Sequence, residues 1–319
     1  MRKFLIIKPT NQCNFDCSFC SSKNEEKQLL DIDYLVGIIN SLSDKYSLDS
    51  VINGGEPFIV DKEYYRKLLD SKINSVSFQS NCELLYENFD YWKEIILHPK
   101  TSLGISFQLG NQRKNSKDEV FTKEKFFKYQ EFFKEKLGHY IFFLYVMTSD
   151  NSNLDQIDEF AEIVRKLKVD CRISPTVKSG KGSNCYIPQY RSIKIYNYLL
   201  RKHKDVIRYI SPIKELLLNK EKCPFSLNCR SSITDIEADG KLYFCGAMGD
   251  RKIFSLDEDC SMTYLKKECE NCNALQICHS CYIRIKDLSE DEKDDIDLYC
   301  GQMSVFSDTI KEFRERNEK

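Results

Sequence analysis

The sequence has no long apolar run and no excess of charge of either sign. Its apolar stretches are shorter than the roughly 18 residues of a membrane-spanning helix, and the one after Met1 is too short for a signal peptide. Lysine and arginine number 48 against 49 aspartate and glutamate residues, so the charge balance offers no basic surface to a nucleic acid. We therefore expect a cytoplasmic protein whose partners include neither nucleic acid nor a membrane.

Low-complexity segments and internal repeats are also missing. The 319 residues, 41% of them hydrophobic, can bury a large core, and one large domain with a small appendage fits this length. Fifteen residues are cysteine. Because thiols stay reduced in the cytosol, clustered cysteines there indicate metal ligands rather than disulfides.

Short runs rich in isoleucine, valine and phenylalanine alternate with charged segments of helical period as far as about residue 175, which is typical of parallel βα units. The predicted strands are Phe4–Lys8, Ser50–Asn53, Ser75–Ser80, Ser102–Gln108, Tyr140–Met147 and Asp170–Ser174. The predicted helices lie around 31–46, 61–71, 83–97, 118–137 and 152–167. Six repeats are too few for a closed eightfold barrel, so we predict an α/β fold: an open, partial (β/α)6 TIM-like barrel with its site at the carboxyl ends of the strands.

The βα repeat ends at residues 178–190, which contain glycine, serine and proline. Residues 191–220 are predicted to form one or two bridging helices, and cysteine density rises from Cys223 onward. We predict three parts: the barrel at 1–177, a linker with bridging helices at 178–222, and a small C-terminal cysteine-rich iron–sulfur module at 223–319.

Three cysteines, Cys13, Cys17 and Cys20, follow the first strand. A loop with this spacing can turn three thiolates toward one point, and three thiolates leave one iron of a [4Fe–4S] cluster open to another ligand. A three-cysteine zinc site or a chance group of buried thiols are the alternatives. The segment Gly54-Gly55-Glu56-Pro57 follows the second strand, where its backbone amides and carboxylate could grip an ammonium or carboxylate group. This pairing of motifs favours the cluster.

The two motifs resemble those of the radical S-adenosylmethionine (SAM) enzymes, in which a Cys-x3-Cys-x2-Cys loop follows strand one and Gly-Gly-Glu-Pro follows strand two. The resemblance covers residues 4–175. It implies that the open iron chelates the amino and carboxylate groups of SAM, and that an electron from the cluster cleaves SAM to a 5′-deoxyadenosyl radical, which abstracts a substrate hydrogen. A flavodoxin- or ferredoxin-type reductant would be a partner.

The resemblance also implies roles for individual residues. The catalytic cluster ligands would be Cys13, Cys17 and Cys20. Phe19 resembles an aromatic residue at the adenine, and Ser106 resembles a serine at the ribose. Ser80-Asn81-Cys82 resembles a Thr-Asn-Gly stretch after strand three, with cysteine where glycine is usual; Asn81 could also be an ordinary turn residue. The implied cofactor-binding residues are Phe19, Gly54, Gly55, Glu56, Pro57, Ser80, Asn81 and Ser106.

The C-terminal part contains enough cysteines for two further clusters: Cys223, Cys229, Cys245, Cys269, Cys272, Cys278, Cys281 and Cys300. The paired Cys-x2-Cys units at 269–281 could be a zinc site by themselves, but Cys229, Cys245 and Cys300 would then have no role. Asp239-Gly240 predicts a hairpin turn between strands at 233–237 and 241–244.

The spacing Cys229-x10-Gly240-x4-Cys245, followed by the 269–281 run and Cys300, resembles the SPASM domain of radical SAM enzymes, although the last gap of the run is one residue shorter than usual. The resemblance implies two auxiliary [4Fe–4S] clusters, and so three clusters in the chain. One would be held by Cys223, Cys229, Cys245 and Cys281, and the other by Cys269, Cys272, Cys278 and Cys300. Cys223 could instead be a thiol that faces the substrate cavity.

Enzymes with a SPASM domain act mostly on peptides and proteins. The resemblance therefore implies an oxidoreductase that abstracts hydrogen from a peptide or protein, as ribosomal-peptide (RiPP) maturases do in crosslinking, thioether formation, epimerisation or oxidation. Gly246 stands where the sulfatase-maturing branch has an aspartate, which weakens alcohol oxidation. The alternatives are a dehydrogenase, dehydratase or epimerase of a small sugar-like or other metabolite, and a non-catalytic electron carrier or metal-binding structural protein. Substrate would be recognised by the barrel mouth, the 178–222 bridge or another polypeptide.

Overall fold

The computed structural model describes residues 2–21, 26–220, 222–223, 225, 229–249, 269, 271–278 and 293–317. Among these residues, no helix is both long enough and apolar enough to cross a membrane. The chain divides into two compact units. The first comprises Met1–Leu144, Ser179–Asn184 and Cys229–Cys260, and the second comprises Tyr145–Lys178, Cys185–Asn228 and Ser261–Lys319.

The sheet of the first unit is mostly parallel. Its strands are β1 (Arg2–Ile7), β2 (Ser47–Ile52), β3 (Ser75–Ser80), β4 (Thr101–Phe107), β8 (Ile233–Ile236) and β9 (Leu242–Tyr243). Strands β1 to β4 pair in sequence order, β8 pairs in parallel with the free edge of β1, and β9 returns antiparallel to β8. The predicted hairpin is therefore present, but its first strand is also part of the main sheet.

The remaining strands are β5 (Phe142–Met147), β6 (Cys171–Pro175) and β7 (Ile210–Ser211). The strand order is β7-β6-β5-β4-β3-β2-β1-β8-β9, which is open at both ends. This confirms the predicted α/β class, with an open parallel sheet rather than a closed barrel.

The first unit contains seven described α-helices. They are α1 (Ile32–Ser43), α2 (Lys62–Asp70), α3 (Glu83–Glu87), α4 (Phe89–Ile96) and α5 (Lys123–Leu137), followed late in the chain by α9 (Cys229–Ser232) and α10 (Gly246–Gly249). Tyr65 on α2 lies edge-on to Phe78 on β3, with 4.9 Å between ring centroids. Both side chains are fully buried, and burial of an apolar side chain of this size stabilises a fold by about 2 kcal/mol.

Two predicted helices differ from the observed ones. The helix predicted at 83–97 is interrupted at Asn88, whose backbone is not helical. The helix predicted from 118 starts only after Thr122, whose side chain accepts a hydrogen bond from the Lys125 amide. Asp118 instead has a left-handed backbone with φ of 63°, which asparagine and aspartate adopt more readily than most residues but which ends helical periodicity.

The second unit contains α6 (Leu154–Leu167), α7 (Gln189–Lys202), α8 (Ile213–Leu217) and α11 (Lys293–Asn317). Helices α7 and α8 fall within the predicted bridging region. The core between α7 and α11 contains Tyr196, Phe225 and Phe306, with ring centroids 5.7 to 6.4 Å apart. Arg201 on α7 also donates to the Thr309 hydroxyl of α11, at 3.0 Å.

The second face of the first unit's sheet carries both apolar and polar side chains. Residues in register on neighbouring strands point to the same face, and alternate residues of a strand point to opposite faces. Ile7, Ile52 and Phe78 share a row that is fully buried. The adjacent register positions are Ile6, Val51 and Ser77, with Asp235 beside Ile6 on β8. The cysteine motif follows β1, and so begins at the carboxyl ends of these parallel strands.

Candidate active site

The three N-terminal cysteines lie in the loop after β1, residues 10–21, called here the cysteine loop. Hydrogen bonds join it to the segment after β4: the Asp16 amide donates to the Lys114 carbonyl at 2.8 Å, and the Ser18 amide donates to the Gln112 carbonyl at 3.0 Å. Within the loop, the Cys20 amide donates to the Cys17 carbonyl at 3.2 Å. The backbone between the three thiols is therefore fixed by the protein itself.

The Gly-Gly-Glu-Pro segment touches the cysteine loop backbone to backbone. The Gly55 amide donates to the Thr10 carbonyl at 2.8 Å, and the Glu56 amide donates to the Gln12 carbonyl at 2.7 Å. A Cβ atom at Gly55 would overlap the Gln12 carbonyl, whose carbon would be 2.6 Å away. Gly54 has φ of +103° and no room for a side chain. Only glycine permits this approach.

The Glu56 carboxylate binds the exit of β3. It is buried and accepts hydrogen bonds from the Phe58 amide at 3.2 Å, the Ser80 hydroxyl at 2.7 Å and the Asn81 amide at 3.0 Å. Burial raises the pKa of Glu56 to about 7, although these donors oppose the rise. The segment's two amides and its carboxylate, which the sequence analysis offered to a ligand, therefore serve to position the neighbouring loops. Pro57 is buried at the start of a short 3-10 turn, Pro57–Ile59.

The exit of β3 contacts the cysteine loop through two asparagines. Asn81 Nδ2 donates a hydrogen bond to Asn14 Oδ1 at 2.8 Å. Asn81 Oδ1 accepts a hydrogen bond from the Glu83 backbone amide at 2.9 Å. Asn81 is thus a turn residue that also fixes the cysteine loop. Cys82 has φ of 63°, a left-handed conformation that glycine adopts without strain. This explains why glycine would suit the position.

Ser106 on β4 lies beside Gln79 on β3. The Gln79 side chain donates to the Ser106 hydroxyl at 2.8 Å, so both polar groups lie at the same edge of the sheet. Ser106 was predicted from the sequence. Gln79 was not, because a single glutamine in a strand is not part of a recognisable motif.

A buried arginine completes the polar side of the site. The Arg113 guanidinium lies 5.2 Å from the centre of the Phe19 ring, and only 5% of the residue is exposed. Its Nε atom is buried and has no hydrogen-bond partner among the described residues. The positive charge lowers the pKa values of Cys17 and Glu56 against the effect of burial. Sequence reasoning missed Arg113, although it is a cation in the polar stretch that follows β4.

The thiols themselves are held in an environment that disfavours their charged form. Cys13 is exposed, but partial desolvation by the surrounding protein, together with the neighbouring Glu56, Cys17 and Cys20, raises the pKa of its thiol. Burial also raises the pKa of Cys17. Thiolates at these positions would require a compensating positive charge, which iron supplies. No group of three side chains among the described residues already has metal-binding geometry, so ligation requires the thiols to turn toward one another.

The 179–184 segment is a further part of the first unit that contacts the cysteine loop. The Lys181 amide donates to the Cys20 carbonyl at 3.0 Å, and the Lys181 ammonium lies 2.7 Å from the Asp16 carboxylate. Gly180 has φ of +52°, and a Cβ atom there would lie 2.9 Å from the Cys20 carbonyl oxygen. A segment predicted only as a domain boundary therefore takes part in positioning a predicted cluster ligand.

A buried charge cluster joins β1 to the C-terminal hairpin. The Lys8 ammonium donates to the Glu237 carboxylate at 2.6 Å and to the Gly246 carbonyl at 2.9 Å, and it lies 3.8 Å from the Asp235 carboxylate. Lys8 and Asp235 are almost fully buried. A Cβ atom at Gly246 would lie 3.5 Å from Asp235 Oδ1. Position 246 therefore borders an existing carboxylate.

Four of the predicted auxiliary-cluster ligands belong to the second unit. Cys269, Cys272 and Cys278 are on one turn, in which the Cys272 amide donates to the Cys269 carbonyl at 3.0 Å. The Cys278 thiol is 3.4 Å from the Tyr299 hydroxyl of α11, and the next residue of that helix is Cys300. The Cys278 thiol therefore contacts α11 at the residue before Cys300, which is itself exposed.

The other predicted set is divided. Cys229 and Cys245 belong to the first unit, and Cys223 belongs to the second, where its carbonyl accepts from Arg172 at 3.1 Å. Cys281 lies outside the described residues.

Neither a family model nor a curated protein matches this chain, but solved structures do. Native anSMEcpe with bound AdoMet matches with a TM-score of 0.74 and 19% identity, over 99% of this chain and 100% of that chain. The anSMEcpe structure with AdoMet and the Cp18Cys peptide gives 0.74 and 18%, over 100% of each chain. Streptococcus suis SuiB bound to precursor peptide SuiA gives 0.65 and 16%, over 92% of this chain and 74% of SuiB. The chain therefore has the fold of the radical SAM enzymes, as its two N-terminal motifs predict.

Proposed function

We propose that this chain is a radical SAM enzyme that abstracts a hydrogen atom from a peptide or protein substrate. The observation that carries the proposal is the cysteine loop: Cys13, Cys17 and Cys20 lie on a backbone that is hydrogen-bonded to Gly55, Glu56 and the segment after β4. The three thiolates would hold a [4Fe–4S] cluster by three of its irons. When bound, the cluster would supply the electron that cleaves SAM into methionine and the 5′-deoxyadenosyl radical.

The surrounding residues would position SAM. The Arg113 guanidinium, buried beside Phe19, offers a positive charge to the SAM carboxylate. The Phe19 ring offers an apolar surface to the adenine, and the Ser106 hydroxyl, held by Gln79, offers a polar group to the ribose. Glu56, Ser80 and Asn81 would act indirectly, because their hydrogen bonds join the exits of β2 and β3 to each other and to the cysteine loop.

A peptide substrate is supported by the matched structures. Both anSMEcpe with the Cp18Cys peptide and SuiB with its precursor peptide SuiA share this fold over most of the chain. Gly246 has no acidic side chain of its own, which favours crosslinking, thioether formation, epimerisation or another oxidation over alcohol oxidation of the sulfatase-maturing type.

The C-terminal cysteines would hold two auxiliary [4Fe–4S] clusters. Cys269, Cys272, Cys278 and Cys300 would bind one, which is supported by the contact between the Cys278 thiol and Tyr299, the residue before Cys300. Cys223, Cys229, Cys245 and Cys281 would bind the other. In this proposal the barrel covers 1–177, the bridge 178–222 and the cluster module 223–319, and a flavodoxin- or ferredoxin-type protein is the reductant.

The test is anaerobic reconstitution of the wild type and of a triple variant, Cys13→Ala, Cys17→Ala and Cys20→Ala. With dithionite and SAM, the wild type should release 5′-deoxyadenosine and the triple variant should not. Cys171→Ala is the matched control, because it removes a buried thiol that has no proposed ligand role, and it should keep the activity. Zinc in place of iron, or deoxyadenosine from the triple variant, would contradict the proposal.

A further inference from the structure

A groove on the second unit is lined by cations and apolar side chains. Its volume is about 320 Å³, and its basic lining residues are Lys204, Arg208, Lys214 and Arg314. No carboxylate is among the described residues that line it. It lies where α11 meets α8 and the stretch that follows α7, and none of its lining residues is assigned to SAM or to a cluster above.

Three of the four cations have no acidic neighbour. Lys214 pairs with Asp170 at 2.6 Å, but no described carboxylate lies within ion-pairing distance of the others. The Arg208 guanidinium stands over the ring of Tyr209, 4.9 Å from its centre. Arg314 donates to the Leu216 carbonyl, which fixes its position without neutralising its charge. Like charges that line the same groove repel one another, and an anion bound between them would relieve this repulsion.

The apolar lining residues of the groove are Ile207, Leu217, Leu218 and Phe313. Ile207 is buried, while 64% of Leu218 is exposed, and Leu217 lies beside them in the lining. An exposed leucine alone is ordinary. Leu218, however, lines the same groove as Lys204, Arg208 and Arg314, which pair with no described carboxylate. Such a surface suits an amphipathic partner with apolar and acidic side chains.

The groove continues into a second hollow of about 610 Å³ between α7 and α11, which shares Lys204 with it. The acidic residues of that hollow are paired: Asp205 lies 2.6 Å from Arg165, and Glu312 lies 3.8 Å from Arg316. The acids therefore do not neutralise Lys204, and the basic surface extends along α7.

We propose that this groove docks an acidic, amphipathic segment of the peptide substrate other than the residue that reacts. The inference rests on the proposed peptide-modifying function. Apolar side chains of the segment would cover Leu217 and Leu218, as an amphipathic helix does in a hydrophobic groove. Its carboxylates would meet Lys204, Arg208 and Arg314, and such charge complementarity raises association rate and specificity. Three of the four apolar lining residues are aliphatic, which favours a peptide over a nucleic acid, whose bases bind by stacking on aromatic side chains.

The probe is a fluorescein-labelled 14-residue peptide with leucine at positions 4, 8 and 11 and glutamate at most others, added to the anaerobically reconstituted full chain. Fluorescence anisotropy would compare the wild type with the double variant Lys204→Glu and Arg208→Glu. The matched control is Lys45→Glu with Lys93→Glu, an equal change of charge on exposed lysines of the first unit. We expect roughly tenfold weaker binding by the groove variant, shrinking as salt is added, and a change of less than about twofold in the control.

Leu218→Ser tests the apolar part separately, since it removes no charge, and it should weaken binding at both low and high salt. Equal affinity of the wild type and the groove variant would overturn the proposal, and so would tighter binding of a labelled single-stranded oligonucleotide than of the peptide. Failure of the proposed function is distinguishable: the wild type would then release no 5′-deoxyadenosine, whatever the anisotropy shows.

Discussion

The amide nitrogen of Glu56 lies 2.7 Å from the carbonyl oxygen of Gln12, the residue before Cys13. This hydrogen bond joins the Gly-Gly-Glu-Pro segment to the cysteine loop, and it forms only because Gly55 has no side chain. The segment thus has a structural function that does not depend on a bound ligand: it sets the position of the first predicted cluster ligand.

Replacing Gly55 by alanine should therefore prevent cluster assembly. The added Cβ would overlap the Gln12 carbonyl, and overpacking of this kind costs about 2 kcal/mol or more. We expect iron content to fall by the equivalent of one cluster and deoxyadenosine formation to be lost. Gly37→Ala is the control, because no atom lies within 4 Å of a Cβ in that helix; it should stabilise the protein by about 0.5–1 kcal/mol. Full iron content in Gly55→Ala would contradict the prediction.

Gly180→Ala tests the second contact with the cysteine loop. Gly138→Ala is its matched control: both glycines have positive φ, but a Cβ at Gly138 meets nothing within 4 Å, whereas one at Gly180 lies 2.8 Å from the Ser21 carbonyl oxygen. Both variants should lose about 1 kcal/mol from backbone strain, and only Gly180→Ala should also lower the iron content and shift the reduction potential of the SAM-binding cluster. Equal iron content in the two variants would show that the 179–184 segment does not position the loop.

The sequence was informative where a motif or a periodicity is local. The bounds of β3 were predicted without error, and the cysteine loop and the Gly-Gly-Glu-Pro segment were found because their spacing is short. The pairing of β8 with β1 joins Ile233 to Phe4, and no local pattern reports so distant a partner. Arg113 and Gln79 were missed for the same reason, since only the folded chain places them beside Phe19 and Ser106.

Arg113→Met should weaken SAM binding. The substitution keeps the apolar length but removes a buried cation, and a hydrogen bond to a charged group is worth about 1.5–3 kcal/mol, so the SAM Kd should rise roughly tenfold to a hundredfold. Arg113→Lys keeps the charge but not the planar group over Phe19. Its SAM Kd should therefore lie between those of the wild type and of Arg113→Met. Equilibrium binding to the reconstituted protein measures both. An unchanged Kd in Arg113→Met would remove Arg113 from the SAM site.

The pKa of Glu56 predicts a pH-dependent stability. Its value of about 7, against 4.5 for an ordinary glutamate, means that ionisation disfavours the folded apoprotein. The carboxyl therefore stabilises the fold most below pH 4.5, and this contribution is lost as the pH rises through about 7; a difference of 2.5 units corresponds to on the order of 3 kcal/mol. Denaturation of wild type and Glu56→Gln from pH 5 to 8 should show the wild type losing stability relative to the variant. Parallel curves would refute the raised pKa.

An aspartate at position 246 should destabilise the fold. In Gly246→Asp the new carboxylate would lie against the buried Asp235, since a Cβ there is already 3.5 Å from Asp235 Oδ1, and Lys8 is already engaged by Glu237. Gly246→Asn has nearly the same shape without the charge. At pH 8 the aspartate variant should be less stable than the asparagine variant by about 1–3 kcal/mol, and the gap should close as the pH falls below about 4 and the carboxylates protonate. Equal stability of the two at pH 8 would mean that Asp235 leaves room for a second acid, and that an aspartate of the sulfatase-maturing kind is compatible with this site.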